Sequence, residues 1–137
     1  MRRLFIVTMM ALLLPAASFA QDASSSLKQN MKQIGSLTKQ IVATVKDSSK
    51  DQDNANKSAQ LVALFQLVYN QAADGVQDIP ADQQQAAIED FQNLIQQEID
   101  LATQLQAAFA SNDTNAAATI LQQMNDIKHE GHDKYNP

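Results

Sequence analysis

The two histidines of this chain, His129 and His132, both lie close to the C-terminus, in the segment NDIKHEGHDKYNP. An imidazole nitrogen is a common ligand for a transition metal. Methionine offers a softer sulfur ligand, and Met31 lies near the other end of the chain. A methionine and a histidine together form one of the ligand sets that hold haem iron. These residues can therefore bind a haem if the fold brings them together.

Four helices are predicted to carry these residues. The sequence is rich in Ala, Gln and Leu and has only three glycines and three prolines, a composition typical of an all-α protein. Apolar residues recur at steps of three and four along four segments, which predicts amphipathic helices over 24–46, 56–73, 81–110 and 114–135. Because their connections are short, the sequence predicts an antiparallel up-down-up-down four-helix bundle.

Turn-forming residues set the predicted ends of these helices. The polar segment KDSSKDQDN predicts a connection that buries no core between the first two helices. Gly75 is the predicted C-cap of the second helix, and Pro80 is predicted in the first turn of the third, after Asp78. Asp113 or Asn112 is the predicted N-cap of the fourth helix.

Antiparallel helices would bring Met31 and His132 to the same end of the bundle. Met31 lies about two turns into the first helix, and His132 about one turn before the end of the fourth. At about 1.5 Å per residue, both fall within roughly 10 Å of that end. His132 also follows Leu121 by close to three full turns, which keeps it near the inward stripe. The sequence thus predicts a thioether and an imidazole facing each other there.

A haem also needs apolar walls for its ring and polar groups for its propionates. Phe91 and Ile95 lie on the apolar seam of the third helix, towards the same end, and are the predicted walls. Lys128, one turn before His132, is placed to meet a propionate or is simply solvated. Met31 can equally be a core residue.

The histidines also have simpler interpretations. His132 can be a solvated surface residue, and His129 is predicted to be exposed. The spacing in KHEGH would also allow weak binding of a divalent metal between the two imidazoles. A di-iron site is not indicated, because Glu130 precedes His132 by two residues and not three.

The first twenty residues, MRRLFIVTMMALLLPAASFA, have the features of a cleavable export signal. Arg2 and Arg3 form a basic start, an apolar run follows, and the small residues Ser18 and Ala20 precede the predicted cleavage site. The apolar run is too short for a membrane span. The predicted domains are therefore a signal peptide over 1–20 and one bundle domain over 21–137, located in the periplasm.

The composition of the mature chain disfavours several classes of function. Without Arg2 and Arg3, 8 basic and 15 acidic residues remain, a net charge of 8 − 15 = −7. Such a charge disfavours nucleic acid and anionic membranes as partners. The absence of cysteine excludes thiolate metal sites and covalent haem attachment. No serine hydrolase arrangement or phosphate-binding loop is present, so we expect a protein that is not an enzyme.

Three short segments, taken in order, resemble the soluble periplasmic cytochrome b562 family. They are LKQNMKQI around Met31, EDFQNLI around Phe91 and HDKYNP around His132. The resemblance covers nearly the whole mature chain in helix order and length. It implies a four-helix bundle with one non-covalent b-type haem, and Met31 and His132 as axial ligands to the iron. It also implies that Phe91 packs on the haem and that Lys128 lies near a propionate.

Two residues depart from the family pattern. Ile95 stands where a second aromatic wall residue is expected, and Gly131 replaces a bulkier residue beside the ligand histidine. A glycine weakens a helical turn by up to about 1 kcal/mol. The connection between the first two helices is also longer, at the end away from the predicted site. The first two departures concern haem affinity more than the fold.

Two functions of different classes follow from the sequence. The first is electron transfer, because a haem with two protein ligands leaves no open position for a substrate. The chain would act as a monomer with haem and a periplasmic redox partner, which its acidic surface would dock. The alternative is a haem-free periplasmic four-helix bundle that acts as a protein-binding or stress-related module.

Overall fold

The structure, a computed structural model, describes residues 26–135 of the 137-residue chain. This part of the chain is helical and contains no β-strand, which confirms the all-α prediction. A short 3-10 turn, Ser48–Lys50, precedes the second of five α-helices. The helices are α1 (Leu27–Thr44), α2 (Asp51–Asn70), α3 (Ala72–Gly75), α4 (Gln84–Ala110) and α5 (Thr114–Tyr135). The predicted export signal and its cleavage site lie outside the described residues.

Helix α1 begins with a reciprocal pair of hydrogen bonds. The backbone N–H of Gln29 donates to the Ser26 hydroxyl at 3.2 Å, and the backbone N–H of Ser26 donates to Gln29 Oε1 at 3.0 Å. This capping box satisfies two N–H groups that a helix start would otherwise leave without partners. It fixes the beginning of the helix that carries Met31.

The connection between α1 and α2 is shorter and more buried than predicted. Helix α2 begins at Asp51 and not near residue 56, and both Asp51 and Asn54 are buried. Thr44 Oγ1 donates to Asn54 Oδ1 at 3.0 Å, which joins the end of α1 to the start of α2. The prediction of a connection without buried residues is wrong, because these short polar side chains pack between the two helix ends.

Helices α3 and α4 also differ from the prediction. The segment predicted as the end of the second helix is a separate turn of helix, α3, so residues 26–135 form five α-helices and not four. Pro80 lies in a turn before α4, where its carbonyl accepts the Gln83 N–H at 2.8 Å. It is therefore not in the first turn of a helix as predicted. Pro80 has a fixed φ, which suits the start of such a turn as well as the start of a helix.

The junction between α4 and α5 decides which residue caps α5. Asn112 has a φ of 54°, and its N–H donates to Phe109 while that of Asp113 donates to Ala108. This is the hydrogen-bond pattern of a Schellman motif, in which asparagine tolerates the left-handed conformation. Asp113 Oδ1 then accepts the Ala116 N–H at 3.0 Å. Of the two predicted N-caps, Asp113 is the one that caps α5.

Hydrogen bonds join the ends of the long helices. Asn30 Nδ2 in α1 donates to Gln71 Oε1, just after α2, at 2.9 Å. Gln92 Nε2 in α4 donates to the carbonyl of Tyr69 at the end of α2, at 3.3 Å. The start of α1, the end of α2 and the start of α4 therefore lie together. We call this the Met31 end of the molecule.

The core follows the predicted apolar stripes. Helix α4 packs most extensively on α2 and then on α5, and α1 packs on α2. Within residues 26–135, α1 and α5 do not pack closely on each other. None of the described helices is long and apolar enough to cross a membrane. The buried stripe residues that the sequence predicts are Leu27, Ile34, Ile41, Val45, Leu61, Leu64, Phe65, Val68, Ala72, Phe91, Ile95, Ala102, Leu105, Phe109, Ala117, Leu121 and Met124.

Candidate functional site

Met31 lies at the edge of the core in the second turn of α1. Its side chain is half-buried and packs against the core, and its neighbours on the same stripe, Leu27 and Ile34, are buried. Met31 therefore packs in part as a core residue, which was the alternative to a ligand role in the sequence analysis. Its sulfur is a soft ligand at the boundary between the core and the surface.

His132 lies in the last turn of α5 and is exposed. Within the described chain it makes no hydrogen bond and no ion pair, so protein contacts leave both ring nitrogens available. His129 is exposed as well. His132 is in line with Leu121 along the helix, at the flank of the buried stripe.

Phe91 and Ile95 form a buried apolar surface near the start of α4. The Phe91 ring packs edge-on against Tyr135, with ring centroids 5.5 Å apart and an interplanar angle of 66°. On another side it meets Gly75, where an added Cβ would lie 2.8 Å from Phe91 Cε2. The prediction of Gly75 as the C-cap of the second helix is wrong, because the C-cap of α2 is Gln71 and Gly75 is the last residue of α3. Its lack of a side chain instead allows the Phe91 ring to approach the backbone closely.

A polar cluster attaches the end of α5 to the start of α4. The Tyr135 hydroxyl donates to Asp90, and Lys134 Nζ lies 3.3 Å from Asp90 Oδ2 and 2.9 Å from Glu130 Oε1. The Tyr135 hydrogen bond is the main cause that lowers the pKa of Asp90 below its usual value. Burial and the Asp90 carboxylate raise the pKa of Tyr135 to about 12. The cluster positions the helical turn that carries His132, and no pattern in the sequence indicates the Asp90 contact.

Lys128 is exposed, and its charge acts on Glu98 of α4. Glu98 is 5% exposed, and its Oε2 has no hydrogen-bond partner in the described chain. Burial raises the pKa of Glu98 to about 8, and the positive charge of Lys128 opposes this rise. Glu98 was not predicted as a site residue, although it lies between Ile95 and Ala102 on the predicted inner stripe.

The predicted site residues divide between the core and the surface. Phe91 and Ile95 belong to one core, and Met31 packs against that core. His132 and Lys128 are both exposed on α5. Within residues 26–135, no three His, Asp or Glu side chains are placed to hold a metal ion. A thioether and an imidazole are a ligand set that can hold haem iron. Their helices, α1 and α5, do not pack closely in the described chain, so the ligand roles of Met31 and His132 stay a prediction.

Replacing Gly131 with alanine should stabilise the protein. Gly131 lies inside α5, where a Cβ would meet only Leu94 Cδ1, at an ordinary contact distance of 4.0 Å. Because alanine favours a helix more than glycine does, we expect Gly131→Ala to raise the free energy of unfolding by about 0.5–1 kcal/mol. Urea denaturation followed by circular dichroism would measure this change.

Gly75→Ala is the matched comparison for this variant. The same added methyl group would press on the buried Phe91 ring, so we expect a loss of about 1–3 kcal/mol. Equal effects in the two variants would contradict this difference in packing.

A comparison with protein families gives one match. The chain matches the family model described as Cytochrome b562 over residues 26–136, which is most of its length. The matched segment includes Met31, Phe91 and His132. No curated protein and no solved structure matched the chain.

Proposed function

The chain belongs to the cytochrome b562 family, whose members are haem-binding electron carriers, and on this premise we propose that it is a periplasmic electron-transfer protein with one non-covalent b-type haem. The observation that carries this proposal is the family match, because it spans residues at both ends of the described chain. A bound haem supplies one-electron chemistry by changing between its ferric and ferrous states.

We propose Met31 and His132 as the two axial ligands. The sulfur of Met31 lies at the edge of the core, and the imidazole of His132 has no competing hydrogen bond in the described chain. Their helices, α1 and α5, do not pack closely, so a ring between them would not have to separate two tightly packed helices. A thioether ligand favours the ferrous state and raises the potential.

Residues of α4 and α5 would complete the site. Phe91 and Ile95 provide a buried apolar surface for one face of the ring, and the Phe91 ring is already held by Gly75 and Tyr135. A fixed wall avoids the entropy loss of ordering a side chain when the haem binds. Lys128 is exposed on α5 and is proposed to pair with a propionate.

The arrangement of the helices and the location of the protein are parts of the same proposal. The hydrogen bonds at the Met31 end support an antiparallel up-down-up-down bundle that includes the short α3. Removal of residues 1–20 would release a monomeric chain to the periplasm. Its charge of −7 suits weak, salt-sensitive docking of a basic redox partner.

A visible spectrum tests the proposal. The chain from residue 21 onwards would be produced with haem available, oxidised and reduced. We expect sharp reduced bands in the wild-type protein and the loss of these bands in Met31→Ala and in His132→Ala. A colourless protein that takes up no haemin would overturn the proposal and favour the haem-free periplasmic bundle.

His129→Ala is the matched control for the histidine ligand. His129 is also exposed on α5, three residues before His132. We expect His129→Ala to keep the wild-type spectrum and haemin affinity. Equal losses in the two histidine variants would show that His132 is not the specific ligand.

A further inference from the structure

Glu98 is a buried carboxyl group that the proposed haem site does not use. It lies on the inner face of α4, with the buried residues Ile95 one turn before it and Ala102 one turn after it. Its side chain is 5% exposed, and its Oε2 lacks a hydrogen-bond partner in the part of the chain that the structure describes. An ionised carboxylate in such a place is unfavourable, so the group will bind a proton readily.

Only one charged group in the described chain acts on Glu98. This group is Lys128 on α5, and its ammonium is exposed to solvent. The Gln92–Tyr69 hydrogen bond sets the register of α2 against α4, and α2 has no charged residue at the level of Glu98. The buried α2 residues there are Leu61, Leu64 and Phe65. The charged residue of α3, Asp74, lies nearer the start of α4, beside the Gly75 that meets Phe91. A new charge on the inner side of α4 would therefore be poorly screened at Glu98.

Glu98 lies near the proposed haem walls along the helix. It follows Ile95 by three residues and Phe91 by seven, which correspond to about 5 Å and about 10 Å of helical rise. Iron gains one negative charge when it is reduced, and a nearby carboxyl group then binds its proton more tightly. Because the residues of α4 between Glu98 and the proposed walls include the buried apolar Leu94 and Ile95, little solvent would screen this coupling.

We propose that Glu98 is a redox-linked proton site, which makes electron transfer by this chain proton-coupled. This inference rests on the proposed function. When a one-electron donor reduces the ferric iron, the Glu98 carboxylate takes one proton from solvent and an O–H bond forms. When a one-electron acceptor removes the electron, that O–H bond breaks and the proton returns to solvent.

The test is a redox titration of the haem-loaded protein over a range of about pH 5 to 10, which covers the titration of a buried carboxyl group. We expect the wild-type midpoint potential to fall as pH rises, with one proton taken up per electron at the steepest part. Glu98→Gln, which keeps the shape and removes the titration, is expected to lose most of this dependence. Glu89→Gln removes an exposed carboxyl group from the same helix and should behave as wild type.

Two further measurements separate this inference from the haem proposal. Glu98→Leu serves as a second variant in case glutamine is poorly tolerated in the core. Carbon-13 NMR of the haem-free protein would follow the Glu98 carboxyl group directly, and we expect it to titrate well above the ordinary range of a glutamate. The same pH dependence of potential in wild type and both variants would overturn the proton site and leave haem binding intact. A chain that binds no haemin would overturn both proposals.

Discussion

The haem-free protein is expected to lose stability as pH rises from about 4.5 to about 8, because over this range the Glu98 carboxyl group ionises in the unfolded chain and stays protonated in the folded core. Its pKa is 4.5 in the reference state and about 8 in the folded protein, so the folded state binds the proton more tightly. A group of this kind stabilises the fold fully below its unfolded pKa. That contribution is lost as pH rises through the folded pKa.

The size of this effect follows from the pKa shift. One pKa unit corresponds to about 1.36 kcal/mol, so the rise from 4.5 to about 8 amounts to roughly 5 kcal/mol of unfolding free energy. Glu98→Leu removes the carboxyl group and keeps the volume apolar. We expect the contribution of this position to the free energy of unfolding to be nearly constant from about pH 4.5 to about pH 8 in this variant. Above about pH 8 the variant should be more stable than wild type by an amount similar to the effect of the shift.

Urea denaturation at several pH values would measure the effect, with Glu89→Gln as the exposed control. Other shifted groups act elsewhere on the pH scale. Asp90 has a lowered pKa, so its contribution is lost only in acid, below 3.8. Tyr135 has a pKa raised from 10 to about 12, so its contribution is lost only in strong base. If the free energy of unfolding changed with pH in the same way in wild type and in Glu98→Leu, Glu98 would not be the cause of the pH dependence.

The helices could be predicted because their apolar residues keep a helical period. The residues predicted on the apolar stripe of the second helix, from Leu61 to Ala72, are all buried. Ala72 lies in the separate helix α3. The period gave no information on Asp51 and Asn54, because polar residues near a helix start look the same in sequence whether solvent or another helix end covers them. The early start of α2 therefore could not be read from the sequence.

The candidate site was only partly predictable for a similar reason. Phe91 and Ile95 follow from the seam of α4 and are buried in the core, and their role as haem walls stays a prediction. The contacts that hold Phe91, with Gly75 and Tyr135, depend on how separate helices meet and leave no periodic signal. The assignment of Met31 and His132 as ligands stays a prediction.

Glu98 differs from these contacts, because its position on the inner stripe of α4 is visible in the sequence. The apolar period is unaffected by a single acid in that stripe, so the period alone does not indicate Glu98. The presence of an ionisable residue among buried apolar positions does indicate it, and that is visible in the sequence. Breaks in an amphipathic pattern therefore indicate candidate functional groups as directly as the pattern indicates the core.

Phe91→Ala is expected to weaken both the fold and haemin binding. The ring is 3% exposed and packs on Tyr135 and Gly75, so its removal should lower the free energy of unfolding by about 3–5 kcal/mol. It would also remove the proposed wall of the haem site. Urea denaturation of the haem-free protein and an absorbance titration with haemin would measure the two effects separately.

Phe109→Ala separates a local effect on the haem from a general loss of stability. Phe109 is 1% exposed on the same helix, but it lies eighteen residues from Phe91, or about 27 Å along the axis. We expect a similar loss of stability in this variant and little loss of haemin affinity where both proteins are folded. Leucine at each position provides milder variants should alanine unfold the chain. Equal losses of affinity at the two positions would show that haemin binding follows stability and not contact with Phe91.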